Sequence, residues 1–189
     1  MIYESIVNRR SIRKFKQQAV PREILRKCVD AARLSPCGQN RQPLRYIVVE
    51  DKKFLPEVFR TLGWSKSIPG FKHTPDEVPP AYIVILLDKS INQDAGMDCG
   101  IAAMSICMTA YDEGVASCML VRVDREMLKA NLRIPDPLQV LLVIALGYPA
   151  EKSKAVEMKG NDRQYFYDQD WVLNVPKKRF EDIVVWNTY

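Results

Sequence analysis

Three short stretches of this chain gather side chains able to do chemistry. The first is Arg9-Arg10-Ser11-Ile12-Arg13. Guanidinium forks match the oxygens of a phosphate, and a serine hydroxyl adds a further donor. Composition alone also fits a solvated helix end, but Ile12 and Phe15 are apolar and would anchor the strip to the body. The second is SPCGQNRQP, residues 35–43. Asn40 and Gln42 each offer a donor and an acceptor to the edge of a heterocycle. Pro36 fixes the backbone, and Gly38 permits close approach. An elaborate helix-to-strand turn is the other reading of this loop. The third is PKKRFEDIV, residues 176–184, whose Lys177, Lys178 and Arg179 could hold a phosphate or simply form a soluble tail.

What is absent narrows the chemistry. There is no GxGxxG, no GxxxxGK[ST] and no HExxH. His73 is the only histidine and lies in a proline-rich stretch, so neither a histidine-based triad nor a metal site is expected. A nucleophilic Cys37 would need a base and a lowered pKa, and His73 is poorly suited to serve it. Cys28, Cys99, Cys107 and Cys118 fall in apolar or helical context and are expected in the core.

The elements that must position these groups follow from periodicity. Residues 2–8 read as a short helix with Ile2, Tyr3, Ile6 and Val7 on one face. Pro21 reads as the first residue of a helix that runs to Leu34. YIVVE and AYIVILLD read as strands buried on both faces, since their apolar runs are unbroken. LPEVFRTLG is a short helix. Residues 63–80 hold four prolines together with Trp64, Phe71 and His73, which suggests either a mobile lid whose rings could stack on a planar substrate or a loop that merely covers core. The longest helix should run from about Asn92 to Glu113, with Gly114 at its C-cap. ASCMLVRV is a strand, DREMLKANL a helix capped by Asp124, and LQVLLVIALG another strand. From Tyr148 onward the pattern is polar and irregular until DIVVW, which could add a last strand. Strands alternating with helices predict an α+β or α/β protein with a mixed sheet under helices.

Composition sets the frame. The chain has 189 residues, 47% of them hydrophobic, enough for one domain with a sizeable core. Its net charge of +5 favours anionic ligands, but the cations are scattered and no nucleic-acid face is evident. Five cysteines without a CxxC pair suggest reduced thiols. With no signal peptide or apolar run of membrane-spanning length to read, a cytoplasmic protein without membrane contact is expected.

The order of these segments resembles the nitroreductase family of flavin enzymes. RRSIRKF follows a short helix, and a second helix ends in SPCGQNRQP before the strand RYIVVE. DCGIAAMSICMTAYDEGVASCML is similar to that family's central helix and following strand, and LLVIALGYP and VPKKRFEDIV close the match. The resemblance spans residues 2 to about 186. It implies an α+β, three-layer α/β/α fold with a mixed central sheet, forming one domain (residues 1–189, with 148–189 as a C-terminal extension). It also implies an intertwined homodimer with FMN sites at the subunit interface. By position, Arg9, Arg10 and Ser11 would meet the FMN phosphate and ribityl chain, and Arg13 would lie beside flavin N1 and O2. Asn40 and Gln42 would contact the isoalloxazine. The Pro36-Cys37-Gly38 turn would come from the other subunit, and Lys178 or Arg179 would complete the phosphate site.

Two departures stand out. Leu44 replaces a frequent tryptophan, and Val121-Arg122 replaces a glycine-containing pair near flavin N5, leaving the Val121 backbone amide to serve there. FMN is expected over FAD, because no glycine-rich helix start exists for a pyrophosphate. The activity implied is transfer of a hydride from NAD(P)H through flavin N5 to a nitroaromatic, quinone or similar small acceptor. An FMN-binding sensor or storage protein, and a flavin-free module for another phosphorylated ligand, are the rival readings.

Overall fold

A computed structural model of the chain describes residues 1–64, 68 and 70–188. In chain order its helices are α1 (Ile2–Asn8), α2 (Arg22–Arg33), α3 (Leu55–Phe59), α4 (Gly96–Asp112) and α5 (Arg125–Leu132). Its strands are β1 (Leu44–Val49), β2 (Ala81–Asp88), β3 (Ala116–Leu120), β4 (Leu138–Gly147), β5 (Lys152–Glu157), β6 (Phe166–Tyr167) and β7 (Val172–Lys177).

AYIVILLD, the most apolar strand in the sequence, organises the rest. As β2 it is buried from Ala81 to Leu87, inside a four-stranded sheet of order β1-β2-β4-β3. Successive side chains of a strand point to opposite faces. Ala81, Ile83 and Ile85 therefore join one core with Ile24, Leu25 and Cys28 of α2 and Ala102, Ile106 and Cys107 of α4. Tyr82, Val84 and Leu86 join the other, with Phe15, Val58 of α3 and Leu128 of α5. The result is the expected α+β architecture of a sheet between two helical layers. β4 feeds both cores but changes phase on the way. Val140 packs on the α3/α5 side, whereas Leu142, Ile144 and Leu146 pack on the α2/α4 side. The register break between Ile85 and Leu86 of the partner strand lets Leu141 bulge and makes this possible.

Several sequence expectations are refined. Every pair among the named strands of the central sheet is antiparallel, and its parallel component is the single bridge Ser11↔Ser117 at the β3 edge. β1 is not buried on both faces. It is an edge strand with Val48 exposed, because a strand with one neighbour is only partly covered. Pro21 is the N-cap residue of α2, one position before the expected place. α3 ends at Phe59, and β3 ends at Leu120. α4 starts at Gly96, after a turn in which Asp94 Oδ1 accepts the Gly96 N–H at 3.0 Å. It ends as expected: Gly114 has φ +72°, its N–H donates to Tyr111 O, and the Val115 N–H donates to Ala110 O at 2.8 Å. This is the paired hydrogen bonding of a Schellman close. Asp124 caps α5 through the Met127 N–H, also as expected.

The C-terminal region holds more structure than its sequence advertises. β5, β7 and β6 form a second sheet, parallel between β5 and β7 and antiparallel between β6 and β7. Asp168 ties it together. Its carboxylate takes Lys154 Nζ at 2.9 Å, the Val172 N–H and Asn174 Nδ2, and these partners hold its pKa below the usual carboxylate range. DIVVW is not a strand. A 3-10 turn spans Phe180–Asp182, and Ile183, Val185 and Trp186 are exposed.

Gly147 ends β4 where the N-terminal strip crosses it. A Cβ there would meet Pro80 Cδ at 2.6 Å and Phe15 Cδ1 at 2.9 Å. Gly147→Ala should destabilise the protein by about 1–3 kcal/mol, the scale of overpacking in a filled core. Urea unfolding of parent and variant checks this.

Candidate functional site

The arginine strip leaves α1 in extended conformation. The Arg9 N–H donates to Ser5 O at 2.9 Å as the helix closes. Ser11 then bridges to Ser117, and the Ile12 N–H donates to Ser117 O at 3.1 Å. Ile12 and Phe15 are buried, so the strip is anchored to the body as their apolar character predicts. Farther along, Phe15 bridges to Pro149, and the Lys16 N–H donates to Tyr148 O.

The strip's charges lack compensation. Among the described residues no acidic group pairs with Arg9, Arg10 or Arg13. Arg10 donates to the backbone oxygens of Val7 and Asn8. Its pKa is lowered by burial first and by neighbouring Arg9 second. Arg9 Nε and Ser117 Oγ are buried with no hydrogen-bond partner. Two adjacent arginines with a buried N–H left unpaired suit an anion, since an unsatisfied buried donor costs about 1–3 kcal/mol. A terminal phosphate matches that charge and would offer acceptors to those donors.

Arg13 is held differently. Its N–H donates to Glu151 Oε1, and its carbonyl lies 2.7 Å from His73 Nε2. Its guanidinium sits 5.7 Å from the centroid of the Tyr165 ring and donates to Ser11 O at 3.3 Å.

The 35–43 loop is an organised turn. Gln39, Asn40 and Gln42 all adopt positive φ, between 52° and 53°. Asp98, in the first turn of α4, secures the loop: Oδ1 accepts the Gly38 N–H at 3.0 Å and Oδ2 accepts from Cys37 Sγ at 3.2 Å. Cys37 Sγ in turn accepts the Gln42 N–H at 3.2 Å. Gln42 Nε2 donates to Asn40 Oδ1 at 3.1 Å, which leaves Asn40 Nδ2 and Gln42 Oε1 as an adjacent donor and acceptor. A pocket of about 600 Å³ opens here, lined by Pro36, Cys37, Asn40 and Gln42 together with Tyr46 and Asp98.

The remaining candidates lie elsewhere. Arg179 is paired with Asp182 at 2.9 Å, while Lys178 lines a surface pocket with Lys159 and Asn161. Val121 is exposed just beyond β3, and its carbonyl accepts from Arg125. Trp64 and Phe71 pack around His73, with ring centroids 4.3 and 4.9 Å away, and Phe59 closes the cluster at 5.2 Å. The stretch from Phe71 to Pro80 is docked on the strip by the Lys14–Glu77 ion pair at 2.9 Å and by the Phe15 N–H to Glu77 O. Ser65, Lys66, Ser67 and Pro69 of the expected lid lie outside the described residues. The loop pocket contains no residue of the arginine strip, and the Lys178 pocket contains neither. The three candidate segments therefore do not line a common pocket within one chain.

Sequence reasoning missed Asp98 and Glu151. Both are lone acids at the edges of apolar elements, and their partners are backbone N–H groups and a thiol, so no charge pattern marks them.

The sequence profile of the nitroreductase family matches residues 6–148. This chain belongs to the nitroreductase family. A Methanothermobacter thermautotrophicus protein assigned by name as an NADH dehydrogenase/NAD(P)H nitroreductase is 28% identical over 169 residues, covering 86% of this chain and 84% of its own. The solved structure of an FMN-dependent nitroreductase of Clostridium difficile superposes with a TM-score of 0.72 at 27% identity, over 99% of both chains. A Bacteroides thetaiotaomicron structure shares the fold with a TM-score of 0.76 at 20% identity, covering 100% of this chain and 98% of its own. The nitroreductase fold thus extends past the matched profile into the second sheet.

Thiol environments give a direct check on this geometry. Burial pushes Cys28 up to about 12 and Cys99 and Cys118 up to about 11, and it also raises Cys107. Only Cys37 is not buried. Brief treatment of the native protein with N-ethylmaleimide should label Cys37 first, with the other four reacting after unfolding. Peptide mass mapping reads the order, and early labelling of Cys28 or Cys107 would contradict the packing of α2 on α4.

Proposed function

We propose that this chain is an FMN-dependent oxidoreductase that passes a hydride from NAD(P)H to a nitroaromatic, quinone or similar small acceptor. The observation that carries this reading is the arginine pair, Arg9 and Arg10, half-sheltered beside an orphaned Nε with no counter-charge. Family membership supports the redox class.

Bound FMN supplies the redox chemistry itself, accepting and donating hydride. The chain's own residues bind, orient and stabilise charge. Arg9, Arg10 and Ser11 hold the phosphate end, with Lys178 completing the site. We favour Lys178 over Arg179 because Arg179 is already paired with Asp182. Asn40 and Gln42 present their free donor and acceptor to the heterocycle edge, and the Pro36-Cys37-Gly38 turn is supplied by the partner in a homodimer. The Val121 amide faces the reactive side, with Trp64 and Phe71 as aromatic walls for substrate. Arg13 provides fixed positive charge where negative charge develops, which stabilises the transition state more than the ground state.

The whole chain acts as one FMN-binding unit in this reading. The homodimer is supported by apolar surface that one subunit leaves open: Ile2 and Tyr3 on α1, and Ile183 and Trp186 in the tail, are 60–80% exposed. Large apolar side chains left this exposed are the kind of surface that association covers. Light scattering at micromolar concentration should give a dimer, whose interface we expect to be far above ~2,000 Å². A flavin-bound monomer would refute it.

Arg9→Ala removes a charge-assisted bond typically worth ~1.5–3 kcal/mol. FMN affinity should fall about ten-fold or more, measured by titrating FMN into apoprotein. Undiminished retention would show the phosphate assignment to be wrong.

Arg13→Ala should keep FMN yet slow flavin reduction by NAD(P)H about ten-fold or more, the scale on which one preorganised electrostatic partner acts. Arg13→Lys should restore part of the rate. Steady-state plots for the parent should run parallel, because nicotinamide and acceptor use one cleft in turn. Flavin that binds but is not reduced by NAD(P)H in the parent protein would favour the sensor or storage reading.

A further inference from the structure

The peptide units on either side of the Arg13 Cα are gripped from two directions. Glu151 Oε1 accepts the Arg13 N–H of the unit before the Cα and, at 3.3 Å, the Lys14 N–H of the unit after it. The other oxygen of that carboxylate is 3.4 Å from the Tyr167 hydroxyl. On the carbonyl side, His73 Nε2 lies 2.7 Å from Arg13 O. A carbonyl can only accept, so Nε2 carries the proton and donates. These partners come from distant parts of the chain: Glu151 follows β4, and His73 lies in the proline-rich loop.

His73 is itself held on every side. Phe59, Trp64 and Phe71 surround its ring, and the charged groups that face it are Lys14 and Glu77, which are paired with each other. The ring is therefore a fixed donor. Among the described residues, the Arg13 guanidinium by contrast has just Ser11 O and the Tyr165 face to hold it. Its place is set mainly by where the backbone puts its Cα.

We propose that His73 and Glu151 are positioning residues for Arg13, clamping its backbone from both sides so that its guanidinium stays fixed. This rests on the reading of Arg13 as the cation that stabilises charge on the flavin. The histidine then has no proton to move. The stretch from Phe71 to Pro80 is then a structural brace for the catalytic cation, reaching it through one hydrogen bond.

Electrostatic preorganisation explains why a clamp matters. A cation free to move away from developing charge loses most of its effect, because stabilisation depends on the group being aimed before the charge appears. Loss of one neutral hydrogen bond at the backbone should act about two- to ten-fold on the step that Arg13 serves, the range of a typical net hydrogen bond. Because His73 acts through Arg13, its effect should vanish once Arg13 is gone.

The test is a double-mutant cycle read by flavin midpoint potential, with the rate of reduction as a second readout. His73→Phe keeps an aromatic ring in the cluster and removes the donor, while His73→Gln keeps an N–H near the same place. Glu151→Gln keeps shape and removes charge. FMN affinity for the apoproteins is measured in parallel and should stay within about three-fold of the parent, since a single displaced group away from the phosphate contributes little to it. His73→Phe and Glu151→Gln should lower the potential in the direction of Arg13→Ala, His73→Gln should recover part of the shift, and His73→Phe should add nothing on the Arg13→Ala background. A potential that shifts in Arg13→Ala but stays put in both His73→Phe and Glu151→Gln overturns the clamp. So does a His73→Phe effect that adds in full to Arg13→Ala, which would mean a role independent of the arginine. An unshifted potential in Arg13→Ala itself would instead sink the underlying reading of Arg13. Should His73→Phe fail to fold by circular dichroism, the Glu151→Gln and His73→Gln arms decide the matter alone.

Discussion

Strand β2 has no solvent-facing side before Asp88, and water can be kept from both faces only by covering each with helices. Every other placement follows from that burial. α2 and α4 cover one face, and α3 and α5 cover the other. The N-terminal strip must then run along the β3 edge and the end of β4, where Phe15 fills the space beside Pro80 and Gly147. With Phe15 locked in the core, the arginines that precede it are fixed at the sheet edge, whatever their charges would prefer. The candidate site sits on the margin of the hydrophobic core because the core leaves its ligating residues nowhere else to go.

That arrangement carries an electrostatic tension. Arg9 and Arg10 are adjacent, partly sheltered and without acidic partners among the described residues, whereas Lys27, Lys129 and Lys154 are each paired with a carboxylate. Folding alone does not resolve the tension at the strip. A bound anion would relieve it.

How much of this could be read from the sequence depended on whether burial or polar contacts decided each element. β2, α2 and the cysteine positions were legible because hydrophobic periodicity reports burial. The caps at Gly114 and Asp124 were legible because backbone geometry and side-chain donors there demand particular residues. The second sheet was not. KSKAVE has mostly exposed side chains, and the sheet is held by Asp168 with Lys154 and Asn174, contacts that leave no periodic trace. In the site, residue types marked the arginines and the amide loop, and the family resemblance gave them roles. Glu151 and Asp98 escaped notice because a carboxylate that binds backbone N–H groups looks, in sequence, like any surface acid. The proline-rich stretch read as a lid, yet its stretch from Phe71 to Pro80 is docked on the strip through His73 and Glu77.

The three left-handed residues of the amide loop have an evolutionary consequence. Positive φ costs an ordinary L-residue roughly 1–2 kcal/mol and is borne most easily by glycine, asparagine and aspartate. Gln39, Asn40 and Gln42 all bear it, around a thiol and a carboxylate that brace the turn. Mutational drift at these positions is therefore channelled: β-branched and bulky replacements are filtered out on stability before function is ever tested. In this chain all three positions carry amides, side chains well suited to reading a heterocycle edge. Selection for a foldable turn would by itself keep supplying candidates for recognition, so that new specificities could arise here without the scaffold being relearned.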